Sequence, residues 1–268
     1  MITSLSNQKI KHLVELQSKS RTRNKEGLFI IEGIKMFLEA DNNLIKEVYL
    51  DEVTYTKMEE SSKETPSANL GEAFKKLKKL QDNGTFVEIV TTDVFKKASD
   101  TQTPQGVIAV IDMMKYTLKD IMGGNILILE DIQDPGNLGT MLRTAEGAGV
   151  SGILMSKGTV DIFNPKTIRS TMGSLYRVPF YYTDDLKASI GALKDAGVKV
   201  YAAHLKGTKF YDDISYEGNS AFLIGNEGNG LSDEIASLAD VYVKIPMEGR
   251  LESLNASIAA ALLMYQAR

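Results

Sequence analysis

Residues 137–150, NLGTMLRTAEGAGV, place an arginine, Arg143, about two turns into what reads as a helix. The stretch follows GGNILILEDIQDPG, an apolar run that ends in acids and a Pro-Gly turn. A guanidinium is permanently charged and can hold a phosphate or a developing oxyanion without changing its own protonation. Taken alone, the same residue also reads as a surface ion pair with Glu146, one turn on. Two further Gly-, Asn- and Ser-rich stretches, GNEGNG (225–230) and PMEGRLESLN (246–255), follow apolar runs as DPGNLG (134–139) does. Glycine lets backbone N–H and C=O groups approach a ligand closely. In an open α/β sheet, ligands bind beyond the carboxyl ends of the strands. Each turn alone reads as ordinary turn chemistry; three at one sheet edge could line one pocket.

Those turns need strands to launch them and helices to follow them. Hydrophobic patterning predicts strands at 125–131, 151–155, 198–204, 220–225 and 241–246, with helices at 137–148, 164–173, 184–196, 230–238 and 252–266. The expected architecture is a mostly parallel α/β sheet with helices on both faces. Upstream the beat is shorter. A helix is expected over 7–18, a strand over 27–33, a helix over 34–40 and a strand over 44–51. A polar, Pro-bearing loop over 59–71 then leads to a helix at 72–80, a strand at 86–90, a helix at 93–99 and a strand at 106–113. This gives a small α/β domain over 1–114, a linker at 115–124 and a second domain over 125–268. The last helix is apolar on nearly every side between Ile258 and Met264, so it needs burial in its own core or against a partner subunit.

Composition narrows the chemistry. The chain of 268 residues is 43% hydrophobic and 25% charged, as soluble globular proteins are. It has no cysteine, which excludes disulfides, thiolate metal sites and a cysteine nucleophile. His12 and His204 lie far apart and read as surface or packing residues, so no metal is expected. The dinucleotide, P-loop, nucleophile-elbow and HExxH signatures are all missing. No apolar run reaches the length of a membrane span, and the first residues resemble neither a signal nor a transit peptide; a cytoplasmic protein is expected. The net charge of −4 carries no global nucleic-acid signature. Residues 1–25, however, hold six Lys/Arg (Lys9, Lys11, Lys19, Arg21, Arg23, Lys25) against one acid, Glu15. That patch is either a solvated helix face or an edge that contacts phosphate.

Three segments carry a family resemblance. N-x-G-x-x-x-R in 137–143, LIGNEGNGL in 223–231 and IPMEGRLESLNASIA in 245–259 resemble, in order and spacing, the three motifs of the SpoU (TrmH-type) RNA ribose 2′-O-methyltransferases of the SPOUT superfamily. NPKTIRSTMGSLYRVP (164–179) is similar to the family's segment between the first two motifs, and SNQKIKHLVELQSKSRTRNKEGLFIIEG is similar to the L30e-like RNA-binding domain fused to many rRNA-directed members.

The resemblance implies a deep trefoil knot in the C-terminal domain, S-adenosylmethionine bound in that knot, a homodimer and an RNA substrate. The added N-terminal domain favours rRNA; a tRNA substrate and a non-catalytic RNA-binding or assembly factor are the alternatives. It implies that Arg143 is the catalytic arginine, with Asn137, Glu227, Ser253 and Asn255 shaping the site around it. The residues for the cofactor are Gly225, Ile245 and Leu254, with Leu223, Asn226 and Met247 beside them. RNA contact falls to Lys9, Lys11, Arg21, Arg23 and Arg169. Without the family, Asn137, Ser253 and Asn255 read as helix caps and Glu227 as a solvated acid. Methylation at base C5 proceeds through a covalent adduct, usually on cysteine, and this chain has none; a ribose hydroxyl needs no adduct.

Overall fold

The computed structural model describes residues 1–63 and 68–268. In chain order the elements are α1 (Gln8–Ser18), α2 (Ser20–Glu26), β1 (Leu28–Glu32), α3 (Ile34–Glu39), β2 (Ile45–Asp51), α4 (Glu52–Lys63), α5 (Ala68–Asp82), β3 (Phe86–Val90), α6 (Thr92–Ala98) and β4 (Val107–Asp112). They continue as β5 (Ile126–Leu129), α7 (Pro135–Ala148), β6 (Gly152–Ser156), α8 (Pro165–Thr171), β7 (Phe180–Thr183) and α9 (Leu186–Asp195). Last come β8 (Lys199–Ala203), β9 (Lys209–Phe210), β10 (Ser220–Ile224), α10 (Asp233–Ala236), β11 (Val241–Lys244) and α11 (Ala256–Gln266). They form two units: Met1–Met114 with Phe163–Arg169, and Lys115–Ile162 with Ser170–Arg268.

The first unit carries a four-stranded sheet in the order β1-β4-β2-β3, in which only β2 and β3 run parallel. Ile10, Leu13 and Leu16 recur at helical spacing on α1 and pack with Ile30, Tyr49, Ile108 and Val110 of the sheet. Arg23 is 2% exposed, and its Nη1 donates to the carbonyls of Leu16 (2.8 Å) and Gln17 (3.0 Å). It satisfies carbonyls left open at the end of α1. The loop expected over 59–71 is corrected: residues 59–63 finish α4 and 68–71 begin α5, while 64–67 lie outside the described residues. Polarity over 59–63 belongs to the solvated last turns of α4.

The second unit is a seven-stranded, wholly parallel sheet in the order β7-β6-β5-β10-β8-β11-β9. The sequences ILIL, GILMS and SAFLI are buried at every position, as strands covered on both faces must be. One face packs Ile126, Ile128, Leu154, Val200, Ala202 and Leu223 against Ile190 and Leu193 of α9. Two edge strands, β7 and β9, escaped the hydrophobic pattern because their positions are mixed or exposed. The segment expected as a linker holds a short 3₁₀ turn, Leu118–Ile121, whose Ile121 is fully buried.

Candidate active site

Local rules start α7 at the right place. Asp134 accepts a hydrogen bond from the Asn137 N–H (2.8 Å), Pro135 occupies the first turn, and Gly149 closes the helix at φ 73°. The cap is therefore Asp134, and the Asn137 side chain is left for other work. Its Nδ2 donates to Glu227 Oε1 at 2.9 Å, and its Oδ1 accepts from Asn255 Nδ2 at 3.0 Å. Residues 90 and 118 positions apart in sequence are thus one hydrogen-bonded chain, Glu227–Asn137–Asn255. Asn255 Oδ1 also caps α11 by accepting from the N–H of Ser257 (2.9 Å).

Glu227 is exposed, yet its carboxylate is held in place. Its carboxylate also accepts from the backbone N–H of Gln133 (3.0 Å) and Asp134 (3.1 Å). Burial pushes this carboxyl's pKa up, but the donors from Asn137, Gln133 and Asp134 outweigh it and hold the group below the usual carboxylate value. A depressed pKa means that the network's contribution to stability is present above the unfolded carboxylate value and is lost as pH falls through the folded one. The Asn137 side-chain amide signal in NMR should therefore stay constant down to about pH 4.3, the unperturbed glutamate value, and shift only below it.

The turn carrying Glu227 is itself tied down. Asn226 Nδ2 donates to the Asp131 carbonyl (2.8 Å), and its Oδ1 accepts from the N–H groups of Gly228 (2.9 Å) and Asn229 (3.1 Å). Ser232 Oγ donates to Glu130 (2.6 Å). A Cβ at Gly225 would fall inside the backbone of Gly230 and Leu231, so only glycine allows this crossing.

A cavity of about 290 Å³ opens at the carboxyl ends of β8, β10 and β11. That is the lower end of the ~300–1,000 Å³ common for small-molecule pockets. Gly225, Asn226, Glu227, Ile245, Met247, Ser253 and Leu254 all line it, so two of the three turns meet there as expected. Leu223 does not line the cavity; its side chain is fully buried in the sheet core. Alternation along β10 turns it to the packed face. His204 lines the cavity as well; nothing in the spacing marked it. Among the described residues no cluster of three or more His, Cys, Asp or Glu could hold a metal.

Arg143 stands on the exposed side of α7 and is not part of the cavity wall. It makes no hydrogen bond or ion pair among the described residues. The ion pair considered with Glu146 does not form, because Glu146 binds Arg177 through Nε and Nη2. Among the residues expected to meet RNA, Lys11 and Arg21 are exposed. Lys9 bonds Glu47 (2.8 Å) and lies over the Phe86 ring, and Arg169 pairs with Asp100 (3.0 Å). Arg23 is corrected: its buried guanidinium is spent on the α1 carbonyls.

A wholly parallel α/β sheet with a cavity beyond its carboxyl ends, walled by glycine turns and joined at Glu227 to an amide–carboxylate chain, defines a cofactor-binding α/β enzyme without a Rossmann fingerprint. Residues 124–265 match the SpoU rRNA Methylase family and residues 7–109 the MRM3-like substrate binding domain. The 23S rRNA (guanosine(2553)-2′-O)-methyltransferase RlmP of Bacillus subtilis is 32% identical over 269 aligned positions, covering 100% of this chain and 98% of that protein. Two crystal structures of an rRNA methyltransferase from Sinorhizobium meliloti, one of them AdoMet-bound, superpose with TM-score 0.84 at 31% and 30% identity, covering 100% of this chain and 96% of theirs. The chain belongs to the SpoU rRNA methylase family, and it is a methyltransferase with S-adenosylmethionine as cofactor. The cavity suits that group: small, flanked by apolar Ala203, Leu205, Val243, Ile245 and Met247, and floored by a glycine that a side chain would displace.

Proposed function

We propose that this enzyme methylates a ribose 2′-hydroxyl of ribosomal RNA. The observation that carries the reading is the Glu227–Asn137–Asn255 chain, which joins all three turns beside a backbone-lined cavity. S-adenosylmethionine, when bound, supplies an electrophilic methyl on a sulfonium. Transfer would replace the O–H of the ribose with O–CH3, leaving the neutral thioether S-adenosylhomocysteine and passing the proton to solvent water. Glu227 holds Asn137, and Asn137 holds Asn255, so the acceptor ribose meets fixed amide groups. Arg143 supplies positive charge where the oxygen becomes anionic or where its neighbouring phosphate lies. The relative from Bacillus subtilis named for 2′-O-methylation of 23S rRNA supports this substrate class. The test maps 2′-O-methyl sites in total RNA with and without the gene; loss of a site in rRNA is the expected result, and loss confined to tRNA would redirect the reading.

The division of labour follows the two matched segments: residues 1–114 grip RNA and 125–268, knotted as in the family, carry out the transfer. Lys11 and Arg21 are the exposed cations of the first segment that would meet phosphate. Charge reversal at both, Lys11→Glu with Arg21→Glu, should weaken RNA binding at least tenfold and flatten its salt dependence, read by filter binding across a salt series.

The working enzyme in this reading is a homodimer in the cytoplasm, where bacterial ribosomal RNA is made. Ile258 (50% exposed), Leu262 and Tyr265 (49% exposed) recur at helical spacing along one side of α11. An apolar stripe on solvent is costly, and a second copy would cover it. With Arg143 off the cavity wall, such a pairing also offers a route by which the arginine of one subunit serves the cavity of the other. Ile258→Asp with Tyr265→Glu should yield a monomer by light scattering, with methyl transfer lost.

A further inference from the structure

We infer that His204 is a cofactor-contact residue: its neutral imidazole donates an Nε2–H hydrogen bond to the adenosine part of S-adenosylmethionine. The inference rests on the reading that the cavity at the ends of β8, β10 and β11 holds that cofactor.

His204 directly follows β8 and lines the cavity with Ala203 and Leu205. Its backbone is fixed on both sides. The N–H donates to the Val243 carbonyl (3.0 Å), and the carbonyl accepts from Gly207 (2.9 Å). The ring is fixed too, stacked on Tyr242 with centroids 4.9 Å apart and planes 19° from parallel. Nδ1 accepts the Lys206 backbone N–H at 3.1 Å. A nitrogen that accepts carries no proton, so in the neutral ring the proton sits on Nε2. Nε2 has no partner among the described residues. The ring therefore brings one oriented, unused donor to a cavity wall that is otherwise mostly apolar around it. Adenosine offers acceptors at its ring nitrogens and ribose oxygens, and its flat base suits the adjoining Leu205, Ile245 and Met247. Of the two side-chain amides on that wall, Asn226 and Asn229, Asn226 already donates to the Asp131 carbonyl and accepts from the N–H groups of Gly228 and Asn229.

The test is calorimetric titration of the full chain with S-adenosylhomocysteine, whose sulfur is neutral, at pH 8. His204→Asn keeps an acceptor for Lys206 but lacks the Nε2 donor. It should bind about five- to tenfold more weakly than wild type, the worth of one hydrogen bond. Its melting temperature should match wild type, and in turnover KM for S-adenosylmethionine should rise with kcat unchanged. His204→Gln restores a donor at the distal position and should recover part of the affinity. Wild-type affinity in His204→Asn would overturn the inference. Gly225→Val separates the two readings: it should abolish binding, and if it does not, the cavity assignment fails whatever His204 does.

Discussion

Arg143→Ala should lower methyl transfer to rRNA by on the order of 10²–10³ or more, the range seen when a positioned donor to a developing anion is removed. RNA binding should stay within about tenfold, because one phosphate contact among many is a small part of affinity. The expectation rests on what surrounds the residue. Arg143 is exposed and has no partner among the described residues, so its removal leaves no buried charge and no cavity. A helix-surface arginine in such a place should cost the fold within about 0.5 kcal/mol. Activity and stability are therefore cleanly separable here. Arg143→Lys keeps the charge but loses the planar fork, and should restore only part of the rate. Unchanged turnover in Arg143→Ala would remove the residue from the mechanism.

Mixing two inactive variants tests where Arg143 acts. Arg143→Ala lacks the cation, and Gly225→Val lacks the cavity, since any Cβ at 225 collides with the Gly230–Leu231 backbone. Suppose the arginine of one subunit serves the cavity of its partner. Random co-refolding then gives half heterodimers, each with one intact site of two, and about a quarter of wild-type activity returns. If cation and cavity work within one subunit, every site in the heterodimer is damaged and nothing returns. The difference, a quarter against background, far exceeds assay error. The exposed Ile258–Leu262–Tyr265 stripe predicts the first outcome, because a second copy placed on α11 lies next to α7, the helix against which α11 packs.

The sequence alone determined a good deal about this protein. Apolar, strand-length runs followed by Gly- and Asn-rich turns marked β5, β10 and β11 and the edge at which a ligand would sit. The spacing of Asn137, Arg143, Glu227 and Asn255 carried the family, and the missing cysteine narrowed the chemistry. These are local or compositional properties, set by which backbone angles glycine permits and which side chains can react. Only the tertiary structure decided what those residues do to one another. Asp134, not Asn137, caps α7, which frees an amide that Glu227 and Asn255 then share across 90 and 118 positions of chain. Arg23 and Lys11 look alike in a basic run, yet one is buried on helix carbonyls and the other faces solvent. Leu223 opens the cavity motif in sequence but is buried in the core, and His204, unmarked by any motif, reaches the cavity wall. A hydrogen bond depends on separation in space, which sheet order sets and sequence separation does not record.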